Sequence, residues 1–222
     1  MKNYEVSEKV DVWEAENIFY LKSQPSRIAK LISHYELYKK ILGLPGEIIE
    51  CGVYKGASLL RFATFRMLLE NNCSRKIYGF DAFGTFPNEG LESPLDKKFA
   101  AEYDDGGGIG ISKENLEDLI REKGFSNIQL NKGNVLQTLP VFEKENPNLK
   151  VALLHLDMDV FDPTSKALEI FSKYMVKGGI IIIDDYATVE GATRAVDQFI
   201  KGTELQVKKL NTNYIPSYIE YD

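Results

Sequence analysis

Cysteine is scarce: only Cys51 and Cys73 occur in 222 residues. One falls in an expected buried strand and the other after an expected helix. They read as free thiols in a reducing compartment, not as a disulfide framework. Long apolar runs are missing as well. None approaches the roughly 18 residues of a membrane span, and the opening stretch MKNYEVSEKVDVWEAE is too polar and acidic for a signal peptide. Excess positive charge is absent: the net charge is −6, with no cluster of close Lys and Arg. That excludes a sequence-independent nucleic-acid binder, which needs a basic surface. Repeats and low-complexity tracts are also lacking. The expectation is a soluble, cytoplasmic protein with neither nucleic-acid nor membrane partners.

What is present is ordinary in amount: 44% hydrophobic and 27% charged residues. The length suits one α/β domain with an extension. Residues 1–22 are polar with scattered aromatics, a short helix or an arm for a partner. Over 25–42 the residues Ile28, Leu31, Ile32, Tyr35, Tyr38, Ile41 and Leu42 recur at helical spacing. Residues 1–44 therefore read as an N-terminal helical extension, a cap on the site or an oligomer contact. A domain follows over 45–222. Its strands are expected at 47–51, 76–80, 127–131, 151–156 and 180–183, with helices at 57–70, 112–123, 141–145, 162–175 and 191–200. Two closing strands, 205–210 and 214–221, have no helix between them. Strands alternating with helices give a mostly parallel sheet covered on both faces. The closing pair makes the last strand antiparallel, which separates a Rossmann-like methyltransferase sheet from a plain dinucleotide-binding one.

Acidic residues sit where this architecture binds ligands, at the carboxyl ends of the strands. The segment 151–159, VALLHLDMD, ends one apolar run in Asp157 and Asp159, and IIIIDD ends another in Asp184 and Asp185. Carboxylates converging there raise one another's pKa unless a cation sits among them. A divalent ion with oxygen ligands on Asp157, Asp184 and Asp185 is the economical reading. Asp162, before Pro163, reads only as a helix cap. The first strand ends in Glu50-Cys-Gly52-Val-Tyr-Lys-Gly56. Glycine there lets backbone approach a ligand. Its leading acid suits an ammonium group better than a phosphate, and Asp81, ending the next strand, is placed for ribose hydroxyls. S-adenosylmethionine (SAM) carries both an α-amino acid and a ribose.

The segments GEIIECGVYKGASLLRFA, IYGFDAF, LHLDMDVFDPTSKALEIF and GGIIIIDDYATVEGATRAVDQF resemble the macrocin O-methyltransferase (TylF-type) family over residues 45–199. The resemblance implies a class I methyltransferase fold and a SAM- and Mg²⁺-dependent enzyme. It would move a methyl group to a hydroxyl of a diol-bearing small molecule, a sugar or a glycosylated natural product. It also implies a homo-oligomer. It puts the metal on Asp157, Asp184 and Asp185, the base on Asp159, and Glu50 and Asp81 on the cofactor. The full cofactor set expected is Glu50, Gly52, Tyr54, Gly56, Ser58, Asp81 and Asp157. Catechol-type O-methyltransferases, a nicotinamide-dependent oxidoreductase and a non-catalytic descendant are the alternatives. Residues 82–111, with four glycines among 106–110, read as a lid or as flexible linker. His155 reads as a buried histidine, His34 as a surface one, Arg194 as a candidate partner for the acids, and Lys55 as a ligand contact or a solvated side chain.

Overall fold

A computed structural model describes residues 10–106, 108–213 and 215–222. The first nine residues of the expected arm, the hinge glycine Gly107 and Tyr214, first residue of the expected last strand, lie outside the described residues. The chain opens with helices α1 (Val12–Lys22) and α2 (Pro25–Lys40). Asp11 caps α1 by accepting the N–H groups of Trp13 and Glu14, and Pro25 opens α2. Alternation follows: β1 (Glu47–Cys51), α3 (Ala57–Leu69), β2 (Ile77–Asp81), α4 (Pro94–Asp105), α5 (Lys113–Glu122), β3 (Ile128–Lys132), α6 (Val135–Glu145), β4 (Val151–Leu156), α7 (Phe161–Phe171), β5 (Met175–Ile183) and α8 (Glu190–Ile200). Strands β6 (Lys208–Lys209) and β7 (Ser217–Tyr221) close it.

The strand order is β3-β2-β1-β4-β5-β7-β6. β1 to β5 run parallel, and β7 pairs antiparallel with β5 and β6. The order reverses between β1 and β4, which opens a crevice at their carboxyl ends. Strand alternation sorts the core into two layers. Ile48, Leu153, Ile180 and Ile182 face Leu37, Leu59, Phe62 and Leu116 of α2, α3 and α5. Ile49, Leu154, Ile181 and Ile183 face Phe142, Leu168, Phe171 and Val196 of α6, α7 and α8. Leu37, Tyr38 and Ile41 are wholly buried, so α2 belongs to the core, whereas α1 buries no residue. Cys51 is buried and Cys73 exposed, both free. Among the described residues no helix is long and apolar enough to cross a membrane.

Several elements differ from expectation. The helix expected at 141–145 starts six residues earlier, capped by Asn134, and carries Pro140 inside. Burial of Leu139 and Phe142 outweighs the backbone bond that proline forfeits. Asp162 is not a cap, because Val160 holds that place on α7 and offers no side-chain bond. Pro163 then sits third in the helix, where its missing N–H has no intrahelical partner anyway. α7 ends at Phe171, a 3₁₀ turn covers Ser172–Tyr174, and β5 begins at Met175. The 205–210 strand shrinks to the exposed Lys208–Lys209.

Phe171 is fully buried between Phe80 and Phe142, at 6.0 and 6.2 Å between ring centroids. Phe171→Ala should cost about 3–5 kcal/mol in urea denaturation; a loss below about 1 kcal/mol would contradict this packing.

Candidate active site

The glycine loop and the end of β4 approach so closely that only glycine fits. Gly52 has φ +91°, and a Cβ on it would meet the carbonyl oxygen of Asp157 at 1.8 Å. Two bonds fix the approach: Asp157 N–H donates to Cys51 O and Gly52 N–H to Phe80 O, each at 2.9 Å. Asp81 gathers the rest of the loop. One carboxylate oxygen accepts the N–H groups of Val53 and Tyr54 at 2.8 and 2.9 Å, and the other accepts Phe83 N–H at 2.6 Å. Burial raises the Asp81 pKa, against the pull of these donors. Gly56, at φ +81°, starts α3 under Leu116.

A cleft open to solvent lies above this loop. Gly52, Tyr54, Asp81, Asp157 and Asp159 line it; Glu50, Gly56 and Ser58 do not. Glu50 lies below the loop on the α2–α3 side, wholly buried. Its Oε1 accepts the Ser58 hydroxyl and faces His155 Nδ1 at 3.3 Å, while its Oε2 has no partner. His155 is buried as expected. Burial alone would lower its pKa, but Glu50, Asp157 and Asp184 raise it on balance. His34 is fully buried, contrary to the surface expectation. It stacks on Phe62 and meets His155 edge-on at 5.1 Å, and burial, then His155 and Arg61, push its pKa well down.

Residues 82–111 roof the cleft. Tyr103 packs on Tyr54 and Phe86 at 5.7 and 5.8 Å between ring centroids. Polar ties hold the roof: Asp96 accepts Phe161 N–H at 3.0 Å, Asp162 accepts Glu92 N–H at 2.8 Å, Asn134 donates to Glu89 O at 2.8 Å, and Ile111 N–H donates to Tyr54 O at 2.9 Å. Asp96 thus caps α7 from outside, supplying the acceptor that Val160 lacks.

Behind Asp157, which lines the cleft, lie Asp184 and Asp185, which do not; the three each bring a carboxylate oxygen within 4.8 Å of the others. Burial, then Asp184 and Asp185, lift the Asp157 pKa well above the carboxylate range. Burial, then Asp159 and Asp184, push Asp185 up to about 8. Asp159 rises to about 6, from burial and then Asp184. It sits at φ +64°, and its N–H donates to Asp185 Oδ2 at 3.2 Å. Asp184 Oδ1 is buried without a hydrogen-bond partner. An all-oxygen donor set, an orphaned oxygen and carboxylates held toward protonation fit a hard divalent cation. The sequence reading missed the cation already present. Lys30 Nζ, reaching in from α2, lies 2.5 Å from Asp184 and 3.8 Å from Asp157. The available signal was the stripe Lys30, His34, Leu37, Ile41, polar at its start, on the face that α2 buries. Arg194 does not join the acids: it pairs with Glu190 at 3.3 Å over the Phe161 ring. Lys55 lies over the Tyr54 ring.

The model of the macrocin-O-methyltransferase (TylF) family matches residues 27–215. The chain belongs to this family. A tetracenomycin-rhamnosyl 4′-O-methyltransferase of Streptomyces olivaceus is 27% identical over 149 residues, 65% of this chain and 54% of that protein. The demethyldecarbamoylnovobiocin O-methyltransferase of Streptomyces niveus is 23% identical over 158 residues, 70% of this chain and 58% of that protein. The match therefore spans little more than half the length of these curated relatives. The crystal structure of the calicheamicin methyltransferase CalS11 superposes with a TM-score of 0.70 at 25% identity, covering 96% of this chain and 87% of that one. Family membership and this fold speak against the nicotinamide-dependent alternative.

The acids give a pH signature. A carboxylate whose pKa is raised in the fold stabilises the protein below its unfolded value, and that contribution is lost as pH rises through the folded value. Asp185, near 8 in the fold, should therefore cost chelator-treated protein about 1 kcal/mol between pH 7 and 9. Urea denaturation measures this, and millimolar Mg²⁺ should shrink the loss. A chelated protein equally stable at both pH values would refute the assignment.

Proposed function

We propose that this chain is a SAM-dependent O-methyltransferase assisted by a divalent cation. Its acceptor is a small molecule with neighbouring hydroxyls, a sugar or a glycosylated natural product. The observation that carries this reading is the shared wall. The loop read as holding the donor and the acidic cluster read as holding the metal touch at Gly52 and Asp157, and Asp157 and Asp159 line the same cleft as Gly52, Tyr54 and Asp81. The family description and the relatives' names support the reaction type and the glycoside class.

The residues divide the work. Gly52 and Tyr54 offer backbone to the donor. Asp81 holds that loop, and on donor binding its oxygens are the ones placed for ribose hydroxyls. Gly52, a cradle that a Cβ would fill, fits such a ligand. When bound, SAM would supply the methyl group, carried on a sulfonium sulfur, for transfer to the acceptor oxygen. Asp157, Asp184 and Asp185 would hold Mg²⁺ or a similar ion, which lowers the pKa of a coordinated hydroxyl. Asp159 takes the hydroxyl proton. Its pKa near 6 leaves it ionised at neutral pH yet more basic than a surface carboxylate. The roof over 82–111 excludes water from this exchange, and positioning supplies much of the remaining acceleration. In this reading residues 45–222 form the methyltransferase domain with lid 82–111, and 1–44 its N-terminal extension. Exposed Val12, Trp13 and Leu21 on α1 support self-association through that extension.

Asp159→Asn keeps the size of the side chain and tolerates the left-handed backbone. It should lower kcat by about 10²–10⁴-fold while leaving SAM affinity within about twofold. A kcat within threefold of wild type would remove Asp159 as the base. Absence of SAM binding at millimolar concentration by calorimetry would overturn the function itself.

A further inference from the structure

Lys30 stands where a divalent ion would stand, and the fold gives it a way out. Its ammonium contacts two of the three carboxylates of the acidic cluster. A single positive charge with three donors cannot satisfy three carboxylates, and Asp184 Oδ1 is left bare. That leaves a demand for positive charge at the cluster. A divalent ion on the same oxygens would meet that demand, and it would repel the ammonium that shares them. Lysine suits such a role. Its charge is compact and its four-carbon stem flexible, so the head can leave while the helix stays.

The packing of α2 is graded in the same sense. Its second half is anchored by Leu37, Tyr38 and Ile41, all fully buried. Its first turn, from Pro25 to Arg27, is exposed, and Ile28 to Leu31 are half-buried. Lys30 therefore reaches the cluster from the loosely held end, one turn from solvent.

We propose that Lys30 is a built-in exchangeable counter-ion: it neutralises the cluster in metal-free protein and is expelled when a divalent ion binds. The inference rests on the divalent-cation reading of the cluster. It gives Lys30 a role in setting metal affinity, and it makes the start of α2 a reporter of metal occupancy. If Lys30 occupies the cluster in about nine molecules of ten, the apparent metal Kd is about tenfold weaker than the cluster's own.

Two measurements on the full chain test this, with Mn²⁺ as the probe ion. Lysine acetylation read by mass spectrometry should show Lys30 protected in chelated protein. With Mn²⁺ saturating, its rate should rise about tenfold, in line with the same occupancy, while exposed Lys98 reacts unchanged. Mn²⁺ binding followed by electron paramagnetic resonance should be about tenfold tighter in Lys30→Met than in wild type. Bound Mn²⁺ with unaltered Lys30 reactivity overturns the exchange and leaves the metal reading standing, as does equal affinity in the two proteins. Binding to neither protein overturns both. Binding to Lys30→Met alone is the strongest support.

Discussion

Negative charge held away from water at the carboxyl ends of β4 and β5 is the constraint on which the rest of this site depends. Parallel strands buried on both faces that end in several acids must take up protons or a compensating cation. The protein answers with α2, which carries Lys30 across the crevice to Asp184. The same crowding lifts Asp159 into the range useful to a base. A helix that looks peripheral in the sequence is therefore tied to the chemistry by electrostatics as well as by the core residues behind it.

The strands and their terminal acids were legible in the sequence because both signals are local. An apolar run of four to six residues can be read without knowing its neighbours, and so can the carboxylate that follows it. The glycine loop was equally plain, since Gly52 and Gly56 do what only glycine does at those angles. What stayed hidden was tertiary. His34 looked like a surface residue because nothing in its own helix shows that Phe62 and His155 wait on the other side. Arg194 was a reasonable partner for the acids by proximity along the chain, but Phe161 and Glu190 hold it elsewhere. Lys30 is separated from Asp184 by more than half the chain, and no local pattern joins them. The start of α6 shows the opposite case: the local rule against proline inside a helix is strong, and buried Leu139 and Phe142 override it at Pro140.

The network under the glycine loop shows a second way of managing buried polarity. Glu50 and His155 are neighbours in strand register across β1 and β4, both without exposed surface. Their contact, with Ser58 as a further donor, gives Glu50 Oε1 polar neighbours inside the core. His34 completes the group as a neutral ring whose Nδ1 faces the Arg61 guanidinium at 3.2 Å. This polar layer lies between α2 and the sheet, so the helix that brings Lys30 to the acids rests partly on histidine instead of on aliphatic packing.

The external cap on α7 has a consequence for how the molecule can be taken apart. Asp96 belongs to the roof, yet it completes a helix of the main body. Asp162 returns the contact from that helix to the roof. The two segments are thus mutual parts of one joint, lying outside the glycine loop and the metal-type cluster. A chimera that borrows another roof can be cut at residues 82 and 111 only if it brings an acceptor for Phe161 N–H and a donor for Asp162. Those two hydrogen bonds join the Asn134–Glu89 and Ile111–Tyr54 bonds in marking the seam along which this fold can be recombined.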